Sequence, residues 1–71
     1  HTLGAAGVLE LIFTLMMLDE QRIPPNWNCA VPDPRLPVPP VLKAASIRGS
    51  YALSTSLAFG GCNAALIAGR F

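Results

Sequence analysis

All seven prolines of this 71-residue chain fall between Pro24 and Pro40, and that clustering divides the sequence into three parts. Proline fixes its own φ, lacks an amide hydrogen and pushes the residue before it out of the helical region. Neither regular helix nor central strand fits such a stretch, and an extended, polyproline-like path remains. A connection this long inside a compact domain implies that it is laid over a larger body. The loop is expected over about residues 22–48.

Ahead of the prolines, Leu3 to Leu18 is apolar apart from Gly4, Gly7, Glu10 and Thr14. A helix that is hydrophobic around its whole circumference is a buried helix. Asp19-Glu20-Gln21-Arg22 turns the chain polar and Ile23-Pro24-Pro25 cannot continue a helix, which places the helix at about residues 4–21. A membrane span is the rival reading, but it needs about 20 apolar residues. This stretch is shorter, holds Glu10 near its middle and lacks flanking aromatic or basic anchors. A signal peptide would need a basic segment before the apolar one. Gly4, Ala5, Ala6 and Gly7 let another backbone come close, and their amides lie at the positive end of the helix dipole. A polar site near His1 is expected.

After the prolines, Tyr51, Leu53, Thr55, Leu57 and Phe59 alternate with Ser54 and Ser56, the pattern of a strand with unlike faces. Gly60-Gly61 interrupts it, and Ala64 to Ala68 reads as a second, wholly apolar strand. The expectation is a tight antiparallel pair over about residues 50–58 and 63–69. Two strands alone are marginal, and one helix cannot cover both of their faces.

With 52% hydrophobic and 13% charged residues and a mean hydropathy of +0.48, the chain has more apolar surface than its length can hide. A chain of this size buries only about 60% of its unfolded surface. The net charge is +1 and the basic residues are scattered, so no footprint for nucleic acid is present. Cys29 and Cys62 stand in neither a C-x-x-C nor a Cys/His spacing. They read as free thiols, and no metal or cofactor is expected. No methionine precedes His1 and the chain closes on Arg70-Phe71 directly after an apolar run, which leads to the expectation of a segment cut at its start and ending naturally at Phe71.

His1-Thr2-Leu3-Gly4-Ala5-Ala6-Gly7 followed by Glu10, and about fifty residues later Ser54-Thr55-Ser56-Leu57-Ala58-Phe59-Gly60-Gly61-Cys62-Asn63-Ala64, together resemble the carboxy-terminal end of a β-ketoacyl-[acyl-carrier-protein] synthase. Ile23-Pro24-Pro25 and Asp33-Pro34 match between these blocks. The resemblance implies an α/β chain: the carboxy-terminal piece of a thiolase-like fold, with one buried helix, a proline-rich loop and a terminal antiparallel strand pair, making one domain segment over residues 1–71. It implies a parent acyltransferase, a 3-oxoacyl-carrier-protein synthase of the stand-alone elongating type. Such an enzyme joins an acyl thioester to malonyl-carrier protein by decarboxylative Claisen condensation, is dimeric and is cytoplasmic.

The roles carried over are these. His1 holds the malonyl thioester carbonyl while carbon dioxide leaves. The Phe59 amide helps to form an oxyanion hole, with the Phe59 ring as a gate. Glu10 belongs to a polar network, Gly60 and Gly61 allow a sharp turn, and Asn63 braces it. Cys62 is a small packing residue, not the nucleophile, which the family carries far upstream. Thr55, Leu57, Ala58 and Cys62 depart from the usual residues and suggest a specialised relative, of polyketide or aryl-polyene type; a non-catalytic chain-length-factor subunit has the same fold. The reading that owes nothing to the resemblance is a small membrane-associated or proline-motif interaction protein. The segment alone is expected to be inactive, with its nucleophile and first histidine missing.

Overall fold

The computed structural model describes residues 1–70. A single 3-10 turn, Leu3–Ala5, leads into helix α1, Ala6–Glu20. The amides left over at this end are taken up locally. Ala5 donates to the carbonyl of Thr2 at 3.1 Å, and Leu3 donates to Nδ1 of His1 at 3.0 Å. Leu3 pays for this contact with a left-handed φ of +53°.

The helix stops at Gln21, which is itself left-handed (φ 53°, ψ 40°) and returns its amide to the carbonyl of Met17. Its side chain then ties three points together. Nε2 donates to the carbonyls of Leu18 (2.6 Å) and Gly49 (2.9 Å), while Oε1 accepts the Gly49 amide at 3.0 Å. The Gln21 carbonyl also accepts the Ile47 amide at 2.9 Å. One residue thereby closes the helix and fastens it to the chain entering the hairpin.

The proline segment is not free of regular structure. Strand β1, Arg22–Ile23, pairs antiparallel with β2, Ala45–Ser46, so the loop leaves and re-enters the fold at one place. Just inside that pair, the Asn26 amide donates to the carbonyl of Val41 (2.7 Å) and the Val41 amide to Oδ1 of Asn26 (2.8 Å). Further out, Asp33 and Arg35 form a bidentate ion pair at 2.8 Å across a turn closed by the Leu36 amide.

Strands β3, Tyr51–Leu57, and β4, Asn63–Gly69, form a second antiparallel pair in full register, with Leu53 opposite Ile67 and Leu57 opposite Asn63. Ala52, Ser54 and Ser56 are half-buried on the face that meets α1, whereas Tyr51, Leu53, Thr55 and Leu57 are exposed on the other. The connection Ala58–Cys62 contains a short turn at Phe59–Gly61 and is closed by the Ala58 amide donating to the carbonyl of Cys62 at 3.0 Å.

The buried helix expected from composition is not buried by this chain. Leu18, at 3% exposure, is the one buried residue among those described, while Val8, Ile12, Phe13 and Met16 stand open. The reason is geometric: α1 meets β3 along one side and has nothing opposite the rest of its circumference. Among the described residues no helix is long and apolar enough to cross a membrane. Both cysteines are free thiols, Cys29 half-buried and Cys62 exposed.

Candidate functional site

The start of α1 and the end of β3 meet because small residues occupy the contact. Gly7 lies against Ser56, whose Oγ would be in ordinary contact, at 3.8 Å, with a Cβ placed at Gly7. One helical turn further on, Ser56 Oγ donates to Oε2 of Glu10 at 3.5 Å, the only side-chain link between helix and hairpin at this end among the described residues. The two elements enclose a cleft of about 300 Å³ lined by His1, Leu3, Ala6, Glu10 and the four residues Thr55, Ser56, Leu57 and Ala58.

His1 enters this cleft in a defined state. A neutral imidazole has one donor and one acceptor nitrogen. With Nδ1 accepting the Leu3 amide, the ring proton sits on Nε2, and the free nitrogen is a hydrogen-bond donor. A donor of that kind stabilises an oxygen that gains negative charge. Glu10 faces β3 yet remains solvent-exposed, and among the described residues Ser56 is the one side-chain partner of its carboxylate.

Phe59, Gly60, Gly61 and Asn63 lie just past the cleft's end at Ala58 and do not line it. The Phe59 ring is fully exposed and covers nothing in this chain. Gly60 and Gly61 have φ of +83° and +78°, a conformation open to glycine and costly for other residues, and this pair reverses the chain immediately after Phe59. Asn63 sits at the first rung of β4 opposite Leu57. The bond that closes the turn is backbone to backbone, from Ala58 to Cys62. The structure thus brings His1, Glu10 and the end of β3 together and leaves the Phe59 to Asn63 turn at the rim.

Among the described residues no group of three or more His, Cys, Asp or Glu side chains is placed to hold a metal ion. Sequence reasoning did not pair Ser56 with Glu10, since 46 positions separate them and no local pattern reports such a contact. Nor did it find the Leu3 amide as the partner that sets the His1 tautomer.

The family described as "Beta-ketoacyl synthase, C-terminal domain" matches residues 1–30. The 3-oxoacyl-[acyl-carrier-protein] synthase 2 of Staphylococcus aureus (strain COL) is 36% identical over 72 residues, covering 100% of this chain. The protein of the same name from Vibrio cholerae serotype O1 is 44% identical over 69 residues, covering 94% of this chain. The chain spans 17% of the length of each of these relatives. No solved structure matches it.

Proposed function

The chain belongs to the β-ketoacyl synthase family, which it resembles over its whole length, and from that premise we propose that the protein it is part of condenses an acyl thioester with malonyl-carrier protein. The acyl group is held as a thioester on a cysteine elsewhere in the protein. Malonyl thioester loses carbon dioxide, and the electron pair left on its α-carbon attacks the acyl carbonyl. The tetrahedral oxyanion then collapses, expelling the cysteine thiolate and leaving a 3-oxoacyl thioester on the carrier.

His1 serves the first half of this sequence. Its Nε2–H donates to the malonyl thioester oxygen, which takes on enolate charge as carbon dioxide departs, so the bond is stronger in the transition state than in the ground state. The Phe59 amide serves the second half, donating to the oxyanion of the acyl carbon. Glu10 and Ser56 hold the helix start against β3, and Gly60, Gly61 and Asn63 set the bend that aims the Phe59 amide. The observation that carries this reading is the shared cleft: a histidine with its donor nitrogen free lies across from the strand that ends two residues before Phe59.

The reaction implies an acyl carrier protein and acyl and malonyl thioesters as partners, and the family resemblance supports a second subunit in a cytoplasmic dimer. Thr55 and Leu57 turn their side chains to the other face of the strand, whereas Ala58, one of the positions where the closing signature departs from the family's usual residues, lines the cleft next to Ser56. That favours an acyl preference unlike that of housekeeping fatty-acid elongation, as in polyketide or aryl-polyene assembly.

The test is His1→Ala in the full-length synthase. Loss of one such donor lowers the rate by about 10²–10³-fold, so release of carbon dioxide from malonyl-carrier protein should fall by that much. Loading of the acyl group onto the cysteine should persist. Undiminished decarboxylation would remove His1 from the mechanism.

A further inference from the structure

Residue 58 is where the cleft and the hairpin turn meet. Strand β3 turns Ala52, Ser54 and Ser56 toward α1. Ala58 has extended backbone angles (φ −127°, ψ 159°), so the alternation runs on and its methyl group falls on the same side as Ser56. It lines the cleft that also holds His1, Leu3, Ala6 and Glu10. That methyl cannot swing aside, because alanine has no side-chain rotamer to change. The backbone carrying it is held as well: the Ala58 amide donates to the Cys62 carbonyl at 3.0 Å, one step beyond the Leu57–Asn63 rung. Conformational freedom in this turn belongs to Gly60 and Gly61, on the far side of Phe59. Ala58 is thus a fixed piece of wall immediately before the amide assigned to the acyl oxyanion.

We propose that Ala58 selects the extender unit: its methyl group fills the space that a substituent on the malonyl α-carbon would need, so the enzyme takes unsubstituted malonyl thioesters and rejects α-methylmalonyl ones. The inference rests on the condensing reading given above and concerns the extender, not the acyl group. In that reading the α-carbon is bonded to the carbonyl whose oxygen His1 holds, and it attacks the carbon whose oxygen the Phe59 amide holds. It therefore passes between His1 on the helix side and residues 58 and 59 on the hairpin side. No other side chain of β3 serves as that wall, since Thr55 and Leu57 face the other way and Ser56 is engaged with Glu10. A hydrogen on the α-carbon leaves the Ala58 methyl its place. A methyl group there meets another that cannot move, and discrimination by a single such carbon amounts to about 10–200-fold.

The test offers malonyl- and methylmalonyl-carrier protein together to the full-length synthase loaded with one acyl group. The two 3-oxoacyl products differ in mass by one methylene and are counted by mass spectrometry. The unmodified enzyme should favour malonyl by about 10–200-fold. Ala58→Gly should lower that ratio by about tenfold or more, and Ala58→Ser, which keeps the β-carbon, should hold it. A looser Phe59 amide in the glycine variant would slow both products alike, so the ratio separates lost bulk from gained flexibility. An unchanged ratio in Ala58→Gly overturns the proposal. So does an unmodified enzyme that uses the two extenders equally well, a result that needs no variant to fold. In both of those cases malonyl condensation persists and the condensing reading stands, whereas an enzyme that makes neither product overturns both.

Discussion

Gly60 and Gly61 combine left-handed φ values with empty surroundings: a Cβ added at either meets nothing within 4 Å. Substitution there acts through backbone strain alone, about 1–2 kcal/mol for an alanine at each position. Urea unfolding of the full-length synthase should show that loss for Gly60→Ala and Gly61→Ala, and a smaller one for Gly60→Asn, since asparagine tolerates this region better. A different single-residue effect belongs to Asp33. The Arg35 side chain, and after it the Arg35 amide, holds the Asp33 carboxyl below its ordinary value of 3.8. Because the folded value is the lower one, the pair's contribution to stability is complete above the ordinary value and fades as pH falls through the lowered one. A carbon-13 titration of the Asp33 carboxyl should show that depressed midpoint, and Arg35→Ala should return it to the ordinary range. At this scale the sequence was legible where a residue type has one use. Paired glycines announce a turn, whereas His1 gave no sign that its Nδ1 is already occupied by an amide two residues on.

The elements are held together at few points, and Gln21 is the main one. Its side chain makes three hydrogen bonds, each worth about 0.5–1.5 kcal/mol net. Thermal melts of the full-length protein should show Gln21→Ala destabilising by roughly 2 kcal/mol. Gln21→Gly should cost less, because glycine relieves the φ of +53° while losing the same bonds. A helix and an antiparallel strand pair were readable from the unbroken apolar run and from the alternation after Ser50. The device that ends the helix was not, because glutamine is not a residue that favours left-handed termini. Ile23-Pro24-Pro25 only begins after the chain has turned. The β1–β2 pair was missed for a simpler reason. Two residues have no period, and their partners lie on opposite sides of the proline segment, where propensity argues against strand.

For the molecule as a whole, composition stated the problem that the coordinates then locate. Too much apolar surface for the length becomes a helix and a sheet face with nothing over them. The 71-residue chain, prepared by itself, should therefore enhance 1-anilinonaphthalene-8-sulfonate fluorescence and lack a cooperative melting transition, and its sedimentation coefficient should rise with concentration. A monodisperse species with a sharp transition would show that the open faces need no partner. What the sequence could not convey is which face each residue takes, because sidedness is settled by pairing across the hairpin and not by order along it. The hairpin has one further property. Among the described residues this sheet has two strands only, and the outer backbone groups of β3 and β4 have no ladder beside them. Ala64 to Ala68 offers an uncharged, proline-free run along one such edge. Released from its parent, this segment is equipped to stack copy upon copy into cross-β fibres that bind thioflavin.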